Sequence, residues 1–156
     1  MSPLQVVYDD FSTCCHDFID GVEHLKDRSI PQAVESFQLA YESVSRTDTY
    51  HNKYESYCGL AKVMSGDRSG LEMCRHAAQN EITDGDVFYN LARAEWFYKN
   101  RKNVVIVLKK GLKLDNRHPG LRDMRTALGV RERCALPFLP RTHSLNRTLG
   151  ILLRIK

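Results

Sequence analysis

Apolar residues recur along this chain in steps of three and four, the spacing of one face of an α-helix. They do so in successive stretches separated by short polar breaks. Leu4, Tyr8, Phe11, Cys15, Phe18, Val22 and Leu25 form the first stripe. It is long enough for one helix of about 24 residues, or for two with a break near Ser12–Thr13. Ser29-Ile30-Pro31-Gln32 reads as a capping box with proline in the first turn, and opens a helix whose inward positions are Ala33, Phe37, Ala40, Tyr41 and Val44. After a polar loop from Arg46 to His51, Tyr54, Tyr57, Cys58 and Ala61 mark a third helix, ended by Ser65-Gly66-Asp67. Gly70, Leu71, Cys74, Ala77 and Ala78 mark the fourth. Thr83-Asp84-Gly85-Asp86 breaks and recaps the chain before Phe88, Leu91, Ala92 and Trp96. The turn Asn100 to Asn103 leads into Val104–Leu114, which Asp115 to His118 closes. Pro119 starts a seventh helix with Leu121, Met124 and Leu128 inward, Arg122 and Arg125 on its other side, and Gly129 as its stop. Ala135 to Pro140 is expected to be extended, because each proline disfavours helix in the residue before it. Ser144 to Lys156 is expected to form one last short helix. The pattern is all-α.

Within that pattern a shorter motif repeats: small, three residues, bulky, two residues, small. It occurs as Ala33-x3-Phe37-x2-Ala40, Gly70-x3-Cys74-x2-Ala77 and Val104-x3-Leu108-x2-Gly111, with starts 37 and 34 residues apart. Such a period belongs to stacked helical hairpins. Small residues at this spacing let two helices approach closely, while the bulky one fills the groove between neighbours. The expected class is a helical-repeat scaffold that binds something.

The hairpins resemble tetratricopeptide repeats (TPR). In that family the first helix reads bulky-x2-bulky-small-x2-bulky and the second reads Ala-x3-aromatic-x2-Ala. Here Tyr54-x2-Tyr57-Cys58-x2-Ala61 is followed by Gly70, Cys74 and Ala77, and Phe88-x2-Leu91-Ala92 by Val104, Leu108 and Gly111. Phe18-x2-Gly21-Val22-x2-Leu25 precedes Ala33, Phe37 and Ala40 with a turn one residue shorter. Glu95 stands where a bulky residue is expected, with Trp96 beside it to compensate. The resemblance covers about residues 16–118, as repeats at 16–49, 52–84 and 86–118. It implies a three-hairpin TPR-like solenoid over 1–129, with a covering helix at 119–129 and a basic tail at 130–156.

The resemblance further implies a concave groove for an extended peptide or partner helix, lined by the first helix of each hairpin. That scheme places His16, Ile19, Glu23 and Lys26 there, then Asn52, Glu55, Gly59, Lys62 and Val63, then Asp86, Tyr89, Arg93, Trp96 and Phe97. Lys62, Tyr89, Arg93, Trp96 and Phe97 are the candidate ligand-binding residues, an aromatic-plus-cation surface of the kind enriched at hot spots. The alternative use of Trp96 and Phe97 is to fill the interface with the seventh helix. Only Arg93, and loosely Lys62, can take the part of the family's clamp for a terminal carboxylate, and Glu23 and Glu55 oppose it.

Charge alters this picture. Residues 1–92 hold 7 Lys/Arg against 15 Asp/Glu, a net −8, whereas 93–156 hold 16 against 4, a net +12. An anionic partner, or the acidic first half itself, therefore suits the basic second half. The tail, with Leu136 to Arg141 and a Leu-rich segment behind it, is expected to fold back on the repeats or insert into a partner. Specific nucleic-acid recognition through the basic half is disfavoured, because Phe138 is the tail's one aromatic for base stacking, and a nonspecific nucleic-acid-binding accessory protein using that half is one alternative function.

The catalytic motifs sought are missing: no phosphate loop, no His-Glu-x2-His and no Gly-x-Ser-x-Gly occurs. Five cysteines in no C-x2-C spacing indicate reduced thiols and neither disulfide framework nor zinc knuckle. Cys14-Cys15-His16, taken as helical, would point about 100° apart and not converge on a metal. Cys134, just after Arg131 and Arg133, is the expected reactive thiol. The start lacks the pattern of a signal peptide and no apolar run spans a membrane, so a cytoplasmic, monomeric or homodimeric, non-enzymatic adaptor without cofactor or metal is expected. A small secretion-type chaperone of similar architecture is the other alternative.

Overall fold

The chain turns each helical hairpin with the same backbone device. A computed structural model describes residues 14–129 together with 144, 148 and 149. Helix α1 (His16–Lys26) turns into α2 (Ile30–Ser43), α3 (His51–Met64) into α4 (Ser69–Asn80), and α5 (Gly85–Phe97) into α6 (Arg101–Leu114), with α7 (Pro119–Ala127) following. At each corner a residue in the left-handed region ends the first helix: Arg28 at φ 60°, Gly66 at φ 93°, Lys99 at φ 58°. The next N–H, of Ser29, Asp67 or Asn100, reaches back to the carbonyl of His24, Lys62 or Glu95 at 2.9 Å in all three. This is the Schellman arrangement, which satisfies carbonyls the helix end leaves orphaned. Gly66 adopts it freely, while Arg28 and Lys99 accept a cost of about 1 kcal/mol each for a left-handed Cβ.

The loops between hairpins repeat a second device. An aspartate Oδ1 accepts the N–H two residues on: Tyr50 to Asp48 at 2.8 Å, Asp86 to Asp84 at 2.8 Å, Arg117 to Asp115 at 2.9 Å. Each is an Asx turn that reverses the chain and starts the next helix. Among the described residues there are seven helices and no strand, and no helix is long and apolar enough to cross a membrane.

Two local expectations differ from what is observed. Cys14 and Cys15 are not helical and α1 begins at His16, so the first stripe is not one continuous helix; Leu4, Tyr8 and Phe11 lie outside the described residues. Ser29 is the N-cap of α2, but its side chain makes no cap bond. The Ser29 backbone N–H, which the Gln32 side chain would accept in a capping box, is already committed to the His24 carbonyl at the corner.

The repeat positions form the core. Ala33, Phe37, Ala40, Cys74, Ala77, Val104 and Leu108 are each at most 1% exposed, and Gly70 and Gly111 are buried with them. Helices pair within hairpins and also across them, α2 on α3, α4 on α5 and α3 on α5. The closest approach is at Gly59 and Gly70: a Cβ on Gly59 would stand 2.7 Å from the Gly70 carbonyl oxygen, and a Cβ on Gly70 would overlap that of Gly59. Phe18 stacks on Tyr54 with ring centroids 4.6 Å apart and meets Phe37 and Tyr57 at 5.5 and 4.9 Å. Packed aromatic pairs of this kind add about 0.5–1.5 kcal/mol beyond the area they bury. Helix α5 is buried at every position from Gly85 to Glu95.

Glu95 is the repeat's one irregular position, and Trp96 does not compensate for it. Trp96 is 37% exposed, whereas Glu95 is 2% exposed and fills the bulky slot itself. It is tolerated there because Arg75 of α4 donates through Nε at 2.9 Å and Nη2 at 2.8 Å, joined by Asn100 Nδ2 at 2.8 Å and Asn103 Nδ2 at 3.3 Å. A buried carboxylate is stable only with such a set of donors.

By compactness the chain divides into Met1–Arg125 and Thr126–Lys156. In the second unit Ser144, Thr148 and Leu149 are helical, and Thr148 Oγ1 donates to the Ser144 carbonyl at 3.1 Å. The expectations for Cys134, for the extended segment 135–140 and for docking of the tail fall outside the described residues.

Candidate functional site

Helix α5 carries four of the five candidate residues, and its N-terminal end is fixed by a closed charge cluster. Asp84 caps the helix by accepting from Asp86 N–H at 2.8 Å. Asp86, 1% exposed, faces Lys53 Nζ of α3 at 3.1 Å and His118 at 3.0 Å. His118 Nδ1 accepts from Leu121 N–H at 3.2 Å, so the proton sits on Nε2 and is donated to Asp86 Oδ1. One imidazole thus caps α7 and ties it to α5. Burial, then repulsion from Asp86, holds the Asp84 carboxyl above its usual range against the pull of Lys53. A side chain on Gly85 would stand 2.5 Å from the His118 ring. This end is structural.

The middle of α5 is different. Arg93 and Tyr89 are each 6% exposed, and the guanidinium lies over the Tyr89 ring, 5.5 Å from its centroid. Arg93 Nε is buried without a hydrogen-bond acceptor. Burial pushes the Arg93 guanidinium below its usual range and the Tyr89 hydroxyl above its own. One turn earlier Asn90, 1% exposed, donates through Nδ2 to Ser56 Oγ at 3.1 Å while its Oδ1 has no donor. Buried polar groups are almost always paired, so two orphans on adjacent turns are a signal.

The C-terminal end opens to solvent. Trp96 and Phe97 are 37% and 51% exposed. Phe97 meets Tyr98 edge-on at 5.5 Å, and Arg68 lies over the Tyr98 ring at 5.5 Å. Tyr98 Oη is buried without a partner. Lys62, on the last turn of α3, is half-buried. Of the other positions expected to line a groove, Glu55, Gly59, Val63 and Asp86 are buried. Asn52 is half-buried and donates to Glu81 at 3.1 Å, while His16, Glu23 and Lys26 are exposed. Glu55 is occupied by His76 Nδ1 at 2.8 Å.

The sequence placed Tyr89, Arg93, Trp96 and Phe97 together correctly as neighbours on one helix. It did not bring forward Asn90, Tyr98 or Arg68. The available signal was Asn90 itself, a lone amide inside the otherwise apolar turn from Phe88 to Ala92.

Three of the described thiols, Cys14, Cys58 and Cys74, are set against reactivity. Cys14, Cys15, Cys58 and Cys74 are not in disulfides. Burial pushes Cys58 up to about 11, and pushes Cys14 and Cys74 up as well, the reverse of what activates a nucleophile. Cys15 precedes α1, its N–H donating to Tyr54 Oη at 2.9 Å. Among the described residues no group of three His, Cys, Asp or Glu could hold a metal ion.

These features define an all-helical protein whose hairpins share their corner geometry. No protein family, curated protein or solved structure matches the chain.

Proposed function

We propose that the protein is a non-enzymatic scaffold of TPR-like hairpins that binds a protein or peptide partner at the C-terminal half of α5. Identical corners, equivalent buried positions and packing of α3 on α5 support a stacked arrangement. The observation that carries the binding reading is the exposure of Trp96 and Phe97 immediately beside the unsatisfied Arg93. Large aromatics next to arginine are the side chains that dominate binding energy. A hot spot of that kind is worth at least about 2 kcal/mol, or roughly thirtyfold in affinity.

The test uses the full chain and a partner identified by capture and confirmed by reciprocal capture. Trp96→Ala with Phe97→Ala should weaken that complex by about thirtyfold while lowering the melting temperature only modestly, because neither side chain belongs to the buried core. An unchanged affinity would remove this surface from consideration.

A further inference from the structure

We infer that the protein self-associates by laying the exposed face of α2 in one copy on the exposed face of α6 in a second copy. The contact is separate from the partner surface on α5 and uses none of its residues.

The argument starts from a spacing that the two helices share. On α2, Glu35, Leu39 and Glu42 are exposed, and on α6, Lys102, Ile106 and Lys109 are exposed. Each row reads charge, three residues, aliphatic, two residues, charge, so in both an aliphatic side chain stands between two like charges on one helix face. Leu39 is 50% exposed and Ile106 49%. The signs of the two rows are opposite. Glu42 accepts from Gln38 Nε2 of its own helix at 2.9 Å, and none of the four charged side chains has an ion-pair partner among the described residues. Lys110 and Lys113 extend the basic row, and α2 contains no Lys or Arg. Arg28 and Arg46 lie beyond the two ends of α2, and Asp115 lies beyond the end of α6.

The second observation is a change of charge from hairpin to hairpin. Residues 16–43 hold 6 Asp/Glu against 2 Lys/Arg, a net −4; 51–80 hold 3 against 4, a net +1; 85–114 hold 2 against 7, a net +5. Both acids of the last hairpin are buried and paired, Asp86 with Lys53 and His118, Glu95 with Arg75. The positions of α4 that match Glu35, Leu39 and Glu42 in the repeat are Glu72, His76 and Gln79, and Glu72 is taken by Arg75 at 2.7 Å. The middle hairpin therefore lacks both the aliphatic centre and the flanking like charges. Only the first and the last carry the matched rows.

Both rows are open to solvent in one chain, so the match is made between copies. Placed face to face, Leu39 and Ile106 form an apolar centre with two Glu–Lys pairs as its rim, the usual anatomy of a specific contact. Pairing α2 with α2, or α6 with α6, would set like charges opposite one another, so unlike faces meet. A nucleic acid would satisfy the lysines, but aliphatic side chains give bases nothing to stack on, and the acidic row would be left without a partner.

The experiment is sedimentation velocity of the full chain over a concentration series at low and at high salt. The average mass should rise with concentration at low salt and fall back as salt screens the rim. A closed pair and a longer chain both support the contact, because unlike faces permit either. Lys102→Glu with Lys109→Glu makes both rows acidic, and Glu35→Lys with Glu42→Lys makes both basic. Each double variant alone should self-associate at least about tenfold more weakly. Their melting temperatures should stay near wild type, since all four side chains are exposed. An equimolar mixture of the two should associate again, because each row of one then meets its opposite on the other. Leu39→Gln or Ile106→Gln should weaken association while leaving its salt dependence in place.

A chain that stays monomeric at every concentration in low salt would overturn the inference. So would association that survives charge reversal, or a mixture of the two double variants that stays monomeric. Association lost on Trp96→Ala with Phe97→Ala would move the contact to α5 and overturn it too. A monomeric chain whose Lys102 and Lys109 instead bind an oligonucleotide or anionic phospholipid vesicles would do the same. Partner capture through Trp96 and Phe97 is read separately, so either result can fail without the other.

Discussion

Removing the donor from Glu95 should expose how much a charge at a hydrophobic repeat position costs. In Arg75→Met the Glu95 carboxylate keeps Asn100 and Asn103 but loses both guanidinium bonds, at 2.9 and 2.8 Å. Breaking a fully buried pair costs about 3–5 kcal/mol. The Arg75 side chain is 34% exposed, and two amides still reach the carboxylate, so about 2 kcal/mol is expected. For a chain of this length that is a fall in melting temperature of roughly 4–8 °C. Glu95→Leu alone should cost less, because the stranded Arg75 still reaches solvent and Glu72 at 2.7 Å. The double variant, Arg75→Met with Glu95→Leu, restores the bulky residue the repeat calls for and should return to within about 1 kcal/mol of wild type. Urea unfolding of the four proteins closes a double-mutant cycle with an expected coupling near 2 kcal/mol. A cost below about 0.5 kcal/mol for Arg75→Met, or a double variant as unstable as that single one, would refute this account of position 95.

Gly59→Ala would place a Cβ 2.7 Å from the Gly70 carbonyl oxygen and 2.9 Å from Cys74 Sγ, forcing α3 and α4 apart at a cost of about 1–3 kcal/mol by denaturant unfolding; a neutral effect would show that the crossing is looser than described. Thiol labelling at pH 8 should leave Cys58 and Cys74 unmodified in the folded protein and modify Cys14 more slowly than a free thiol, with all three reacting at once in denaturant. Rapid labelling of Cys58 in the native state would contradict its burial. Stability should also fall in alkali: the Cys58 thiol ionises near 9.0 unfolded and at about 11 folded, so the folded state holds the extra proton between those values. Its contribution is complete below about pH 9 and disappears as pH rises through 11. Melting temperatures across pH 8–11 check this, and Cys58→Ala should flatten the decline.

The fold was legible where local chemistry decides it. Pro119, Asp84 and Gly66 each mark a helix boundary for a reason intrinsic to the residue, and the small-bulky-small motif marked buried contact sites that are indeed buried. The corners at Arg28 and Lys99 were not legible, because their left-handed backbone is imposed by bonds from Ser29 to His24 and from Asn100 to Glu95, which no side chain announces. The capping box at Ser29 failed for the same reason. On α5 the candidate residues could be named, but their exposure could not. Tyr89 and Arg93 are enclosed and Trp96 is open because of neighbours from other helices, and a pattern along one helix does not contain them. Asn90 and Tyr98 became visible as candidates only once their unmatched atoms could be counted against a three-dimensional set of partners.

Repetition carries a hazard, since near-equivalent apolar faces can pair out of sequence during folding. The carboxylate of Glu95 finds its guanidinium only when the preceding hairpin presents Arg75 to it. Hairpins paired in another order would leave that carboxylate with only Asn100 and Asn103 of its own hairpin, so one ionic contact favours the right neighbour over a wrong one.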